Sequence, residues 1–560
     1  MYDLLIRNAL IVDGSGRPGY LGSVAIEGGL IREIGNVSGP ARETVDADGL
    51  VLAPGIVDTH THYDAQITWD PHVSPSPSHG VTTVVMGNCG FTLAPCRPED
   101  RSLTMRNLTH VEGMSLAALE AGVRWEFQTF PEYLSFLEKR GVGVNVAVFV
   151  GHSSVRTWAL RGDAAKRTAT PEEIETMRGI VKEAIRAGAL GFSTTTGTQH
   201  NGEGGIPMPS RLADETEMRA LTGAVGEVGR GVLMMTKDGT ETVPRFEGWA
   251  QASGRPFVIA ALIHSQATPR AVFDDLDAMG EARKRGNRLW GAVSACPLSM
   301  EFTLEAPYVF EGMQAWRPAM QAKDDAAYRA ILSDPAFRAS LRDELSRPAQ
   351  RTFNGDWDRV FVLQAADGKH SGYDGRSIAA LAAEAGKDPF DWLLDLGLAE
   401  DLKTYFLAQL LNTDDQAVGA MLKDPNSLIS LSDAGAHLEF FCDAGFALHV
   451  LGHWVRDRGL MPLEQAVHRM TGEPAGVFGL KGRGAIAVGA YADLFLFDPK
   501  TVGRTPTRRV KDLPAGATRL ITDPKGVHGV WVNGTRLVDA NGAAVTGQPL
   551  SGKVLREFNA

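Results

Sequence analysis

His60 and His62 stand one residue apart in "APGIVDTHTHYDAQ", residues 53–66, directly after the apolar run Gly55-Ile56-Val57. Alternate side chains of a β-strand share a face, so Asp58, His60 and His62 are expected to project to one side, roughly 6.5 Å apart. Three groups able to bind a metal then sit together at the end of a strand that reads as buried. Parallel barrels build their sites at the carboxyl ends of their strands, and this placement favours a metal centre over a lone packed histidine.

Further donors follow other apolar runs. "VTTVVMGNCGFTLAPC" contains Gly87-Asn88-Cys89-Gly90, a cysteine between glycines that let the backbone approach closely. A thiolate with imidazoles is a zinc-type ligand set. Cys96, past the turn, reads as structural. Far along the chain, "SLISLSDAGAH" places Asp433 after an apolar run. A carboxylate beside a metal and its water can take a proton and pass it to a leaving amine. His437, four residues on, stays open between a further ligand, a partner to Asp433 and a histidine at a helix start.

The elements that must bring these segments together are legible from periodicity. Apolar runs at 56–61, 81–86, 144–150, 189–193, 232–235, 257–263, 289–293 and 428–431 alternate with helical segments, which predicts a parallel α/β architecture and, with eight strands, a closed (β/α)8 barrel. "TPEEIETMRGIVKEAIRAG" shows how the helices are delimited. Thr170 caps, Pro171 takes the first position, acids fill the first turn and Gly188 ends it. Residues 1–53 and 484–560 have short strands and turns instead and read as one small β-sandwich domain built from both termini. The catalytic barrel then spans 54–483, with an insertion at about 300–427, mostly helical in pattern, overhanging the barrel mouth as a lid or substrate wall.

Composition narrows the function classes. At 560 residues, with 44% hydrophobic and 22% charged residues, the chain has the make-up of a soluble globular protein large enough for one big domain with appendages. A formal charge of −11 disfavours a nucleic-acid partner, because sequence-independent binding to phosphates needs clustered Lys and Arg. The start, "MYDLLIRNALIVDGSG", reads as neither a secretory signal nor a membrane span, so a cytoplasmic location and no membrane partner are expected. Four cysteines are too few for a disulfide framework in a chain this long. A homo-oligomer is compatible with the sequence.

Taken in order, "GIVDTHTHYD", "GVTTVVMGNCGFTLAP", "NVAVFVGHSSVR", "EEIETMRGIVKEAIRAGALGFSTT", "ISLSDAGAH" and "LEQAVHRMTGEPAGVFGLKGRGAIAVGAYADLFLFDP" resemble the N-acyl-D-amino-acid deacylase (D-aminoacylase) branch of the amidohydrolase superfamily, across nearly the whole chain. The resemblance implies a TIM-like barrel with a small β-sandwich, and zinc-dependent hydrolysis of an amide bond in a small-molecule substrate. It matches His60 and His62 to the family's paired histidines, Cys89 to its zinc-ligating cysteine and Asp433 to its base. It also makes His152 a candidate near the substrate carbonyl, with Arg156 able to hold a carboxylate through its fork of donors.

Two stretches depart from the family. Its fifth strand usually shows Thr-His-x-Arg, where this chain reads "GVLMMTKDGT", with Thr236 or Lys237 at the histidine position. Lys237 is either a ligand in a neutral or carboxylated form or a surface lysine. Ser-His-x-Lys is expected on the sixth strand, where "PFVIAALIHSQATP" puts Ala261 at the ligand position. His264 reaches that position through a three-residue shift, or is a barrel-rim histidine. With two ligands unsecured, one zinc ion is favoured over two. The competing expectations are a hydrolase of cyclic amides such as hydantoins and a non-catalytic barrel that has lost its metal.

Overall fold

The computed structural model describes residues 1–239, 241–347, 353–436 and 443–560. Eight parallel strands pair in chain order into one curled sheet. They are β1 (Ile56–Asp58), β2 (Val81–Met86), β3 (Asn145–Gly151), β4 (Gly191–Thr195), β5 (Val232–Thr236), β6 (Phe257–Leu262), β7 (Leu289–Val293) and β8 (Ser427–Ile429). Each begins within two residues of the run read from the sequence. Every residue of β2 and β3 is buried, as expected for strands covered on both faces.

The curl closes just beyond the ends of β1 and β8. Thr61 and Ala434 form a parallel bridge, the His62 N–H donates to the Ala434 carbonyl at 2.7 Å and the Asp433 N–H donates to the His60 carbonyl at 3.1 Å. The hydroxyls of Thr59 and Ser430 meet at 2.5 Å. Residues distant in sequence but rich in metal donors are thereby fastened together by main chain.

Helices lie between the strands. Pro171–Ala187 carries the expected capping box, Thr170 with Glu173, and ends at Gly188 with φ of 112°. Its buried residues Ile174, Met177, Val181, Ala184 and Ile185 recur at the spacing of one helical face.

Strands from both ends of the chain hydrogen-bond into a single mixed sheet of eight. Val51–Pro54 pairs antiparallel with Leu494–Phe497 and runs through Gly55 into β1. A side chain at Gly55 would place its Cβ 2.2 Å from the Thr82 side chain, so glycine is required where the chain passes from one sheet to the other. Ile6, Ile11, Val24, Ile26, Leu494 and Trp531 form the core of this terminal sheet.

The 300–427 insertion is mostly helical among its described residues and adds a small sheet that the sequence pattern does not show. Leu298–Phe302, Val360–Gln364 and Tyr405–Leu411 form a three-stranded antiparallel sheet beneath its helices. These strands are short and pair across more than forty residues, so local periodicity does not reveal them. The insertion has its own aromatic core, with Phe302, Phe310, Trp316, Phe390 and Phe406. Asn412 roots it on the barrel: its side-chain oxygen accepts the His264 main-chain N–H at 2.7 Å, and its amide donates to the carbonyls of Ser294 and Cys296 at 3.0 and 3.3 Å. Among the described residues no helix is long and apolar enough to cross a membrane.

Candidate metal centre

β1 ends at Asp58, and the chain continues extended enough to present both imidazoles at the strand's carboxyl end. His60 and His62 are 3% and 5% exposed, with ring centroids 5.3 Å apart. Asp58, expected on the same face, serves behind them. It is wholly buried and accepts the Ser432 hydroxyl at 2.5 Å, tying β1 to the segment after β8. Burial raises its pKa to about 7.

Cys89 reaches the same point from a tight turn after β2. It has φ of 57°, between Gly87 at 78° and Gly90 at 80°. Neither glycine has room for a side chain: a Cβ on Gly87 would lie 2.5 Å from the Phe149 carbonyl oxygen, and one on Gly90 3.1 Å from Thr194 Cα. The turn is thus pressed onto β3 and β4, and the thiol faces the histidines. Cys89 Sγ lies 3.5 Å from His60 Nε2 and 3.7 Å from His62 Nε2. Asp433, also left-handed with φ of 54°, brings Oδ1 to 3.1 Å from His62 Nε2 and 3.5 Å from His60 Nε2.

This donor set fits a metal ion. Donors sharing one tetrahedral zinc at bond lengths of about 2.0–2.3 Å stand about 3.3–3.6 Å apart, and the separations here run from 3.1 to 3.7 Å. The donor atoms of His60, His62 and Cys89 all lie within 4.8 Å of one another. Electrostatics agree. Burial pushes the Cys89 thiol above its ordinary pKa despite the neighbouring His62, and a cation at the sulfur reverses that preference. Burial favours a neutral His62, yet the Glu112 charge, with the hydrogen bond to Asp433, holds its pKa well above the usual histidine value. A site that draws positive charge onto an imidazole at this depth is suited to a cation.

The remaining candidates are placed elsewhere. Lys237 turns away from the donors: its ammonium is 2.7 Å from Asp275 and donates to the Glu241 carbonyl at 3.3 Å. Strand alternation aims Thr236 inward instead, with its hydroxyl 3.0 Å from Cys89 Sγ. His264 is buried and outside the donor group; its main-chain N–H bonds to Asn412, while its ring Nδ1 has no hydrogen-bond partner among the described residues. His437 lies outside the described residues. His152 and Arg156, expected near the substrate, lie in an interior cluster. Both are 0% exposed and both are paired with Glu217, the imidazole at 2.8 Å and Arg156 through its guanidinium. The other His152 nitrogen meets Thr194 Oγ1 at 2.8 Å. A sealed ion cluster between helices has no surface left for a ligand.

Neither Glu112 nor Glu217 stands out from sequence alone. Glu112 Oε1 sits 3.0 Å from His62 Nδ1, both side chains buried. Glu112 stands at the end of a helical segment with no motif around it, and Glu217, three residues after the cap Asp214 and two after Glu215, reads as an ordinary first-turn acid.

A family model described as "Amidohydrolase family" matches residues 43–538. The chain belongs to the amidohydrolase family. This amidohydrolase is 30% identical to a D-aminoacylase of Alcaligenes xylosoxydans xylosoxydans over 99% of its own length and 97% of the relative's. It superposes on a crystal structure of D-aminoacylase with a TM-score of 0.67 at 25% identity, covering all of both chains. An N-acyl-D-glutamate deacylase from Bordetella bronchiseptica, solved with zinc and a phosphonate mimic of the tetrahedral intermediate, gives a TM-score of 0.63 at 26% identity over 99% of this chain and all of that one. The (β/α)8 architecture expected from the sequence is therefore that of its structural relatives.

Proposed function

We propose that this amidohydrolase removes the acyl group from N-acyl-D-amino acids or closely similar small amides, with a single zinc ion held by His60, His62 and Cys89 and contacted by Asp433. The observation that carries the proposal is the meeting of donors from three separated segments at the carboxyl ends of β1, β2 and β8. The names of the relatives, D-aminoacylase and N-acyl-D-glutamate deacylase, support the substrate class. When bound, zinc supplies a Lewis acid that acidifies water and polarises an amide carbonyl.

The chain's own residues supply the rest. Asp433 is the most open of the group, its side chain 22% exposed where His60 and His62 are 4% and 3%. Its carboxylate can therefore take a proton from water at the site and return it to the departing nitrogen, while the buried imidazoles and thiol stay fixed as holders. The support for one ion rather than two is that the Lys237 ammonium pairs with Asp275 and that His264 lies outside the group of donor atoms.

Metal analysis and a substrate panel test this together. Protein grown with zinc is expected to carry about one equivalent, to lose activity on chelation and regain it with zinc, and to prefer N-acetyl-D- over N-acetyl-L-amino acids. Preference for hydantoins would reassign the substrate, and less than about half an equivalent of metal would favour a non-catalytic barrel.

A further inference from the structure

Glu112 stands where a glutamate is least expected. It caps the C-terminal end of the helix Arg101–Val111, its N–H donating to the Leu108 carbonyl at 2.8 Å. A negative charge there opposes the helix dipole. Its side chain is 5% exposed, and Oε2 is buried with no hydrogen-bond partner among the described residues. Burying a carboxylate is unfavourable unless it is well paired. Stability of the helix does not account for an acid in this position.

What the carboxylate does touch is His62. Oε1 lies 3.0 Å from Nδ1, close enough for the carboxylate charge to favour a proton on that nitrogen although the contact meets no strict hydrogen-bond geometry. The opposite ring nitrogen, Nε2, faces Cys89 Sγ at 3.7 Å and Asp433 Oδ1 at 3.1 Å. An imidazole binds metal through one nitrogen when the other keeps its proton, so a carboxylate at Nδ1 selects the form whose Nε2 lone pair is free. Glu112 is on the wrong side of the ring to be a ligand of the same ion, and its oxygens do not join the group formed by His60, His62 and Cys89.

We propose that Glu112 is a positioning residue of the metal centre, holding the His62 ring in the tautomer and orientation that direct Nε2 to the cation. The role rests on the metal-centre reading above. It is tested by measuring zinc affinity of the full chain by chelator competition for wild type, Glu112→Gln and Glu112→Ala, alongside circular dichroism and Tm. Loss of such a partner is expected to weaken zinc binding by about 10- to 100-fold, in Glu112→Gln as well, because the neutral amide keeps the shape but not the charge. The variants are expected to remain folded, since each removes a buried charge whose desolvation is unfavourable. Wild-type binding with affinity unchanged within twofold in both variants overturns the role and leaves the metal centre standing. A shift in Tm without a change in affinity also overturns it, as a structural role. A wild-type protein that binds no zinc overturns the metal centre, and the role with it.

Discussion

Asp433 meets two demands at once: contact with the histidine nitrogens and access to solvent. The left-handed backbone at Leu431 and Asp433, with φ of 66° and 54°, turns its side chain back over the mouth after β8 has ended. Replacing it with Asn keeps the volume and removes the proton acceptor. Asp433→Asn is expected to lower kcat by about a hundredfold or more with zinc content near wild type, measured by steady-state kinetics and atomic absorption on the same sample. Unchanged turnover would remove Asp433 from the chemistry. Residue type was enough to single out His60, His62, Cys89 and Asp433, because each follows an apolar run that ends at one rim. His152 and Arg156 are placed apart from that group. They too follow a strand, but Glu217 from another helix satisfies both in the interior, and no local signal announces a partner 61 or 65 residues away.

The turn after β2 is the element on which the cysteine depends. Gly87 combines a φ of 78° with a backbone oxygen 2.5 Å from any added Cβ, so Gly87→Ala has to move either its own turn or β3. A left-handed conformation alone costs an L-residue about 1–2 kcal/mol, and the clash adds to it. The expected result is a drop of about 2 kcal/mol or more in urea-unfolding stability, with reduced zinc occupancy because Cys89 is displaced. Full occupancy in a stable Gly87→Ala protein would show that the turn does not place the thiol. The helix at Pro171–Ala187 was readable to the residue at its start, since a capping box and proline are local chemistry. The strands of the insertion were not, because their stability comes from pairing with distant partners.

Over the whole molecule, the proposed zinc lies on the seam that closes the barrel. Its holders come from β1 and β2, and its neighbour Asp433 from the segment after β8, whose N–H already bonds to the His60 carbonyl. An ion at that point links the two ends of the sheet and binds the folded state far better than the unfolded chain. Free zinc at about 100 times its Kd then adds about 2.7 kcal/mol. Calorimetry should show a Tm that rises with zinc concentration and falls on chelation. A Tm indifferent to both would mean that these donors hold no metal. The terminal sheet joins the same construction at Gly55, where the strand that feeds β1 passes Thr82 too closely for any side chain.

From sequence alone came the parallel α/β plan, the beginnings of eight strands and four donor residues, because burial, helix caps and metal affinity are properties of residue type and near-neighbour spacing. Tertiary structure decided which donors meet. It sent Lys237 to Asp275, fixed the His264 main chain on Asn412, enclosed His152 and Arg156 with Glu217, and brought Glu112 against His62. Each of those outcomes depends on a contact between segments far apart in the chain, set by how strands close and helices pack, and such contacts leave no periodic trace in either partner.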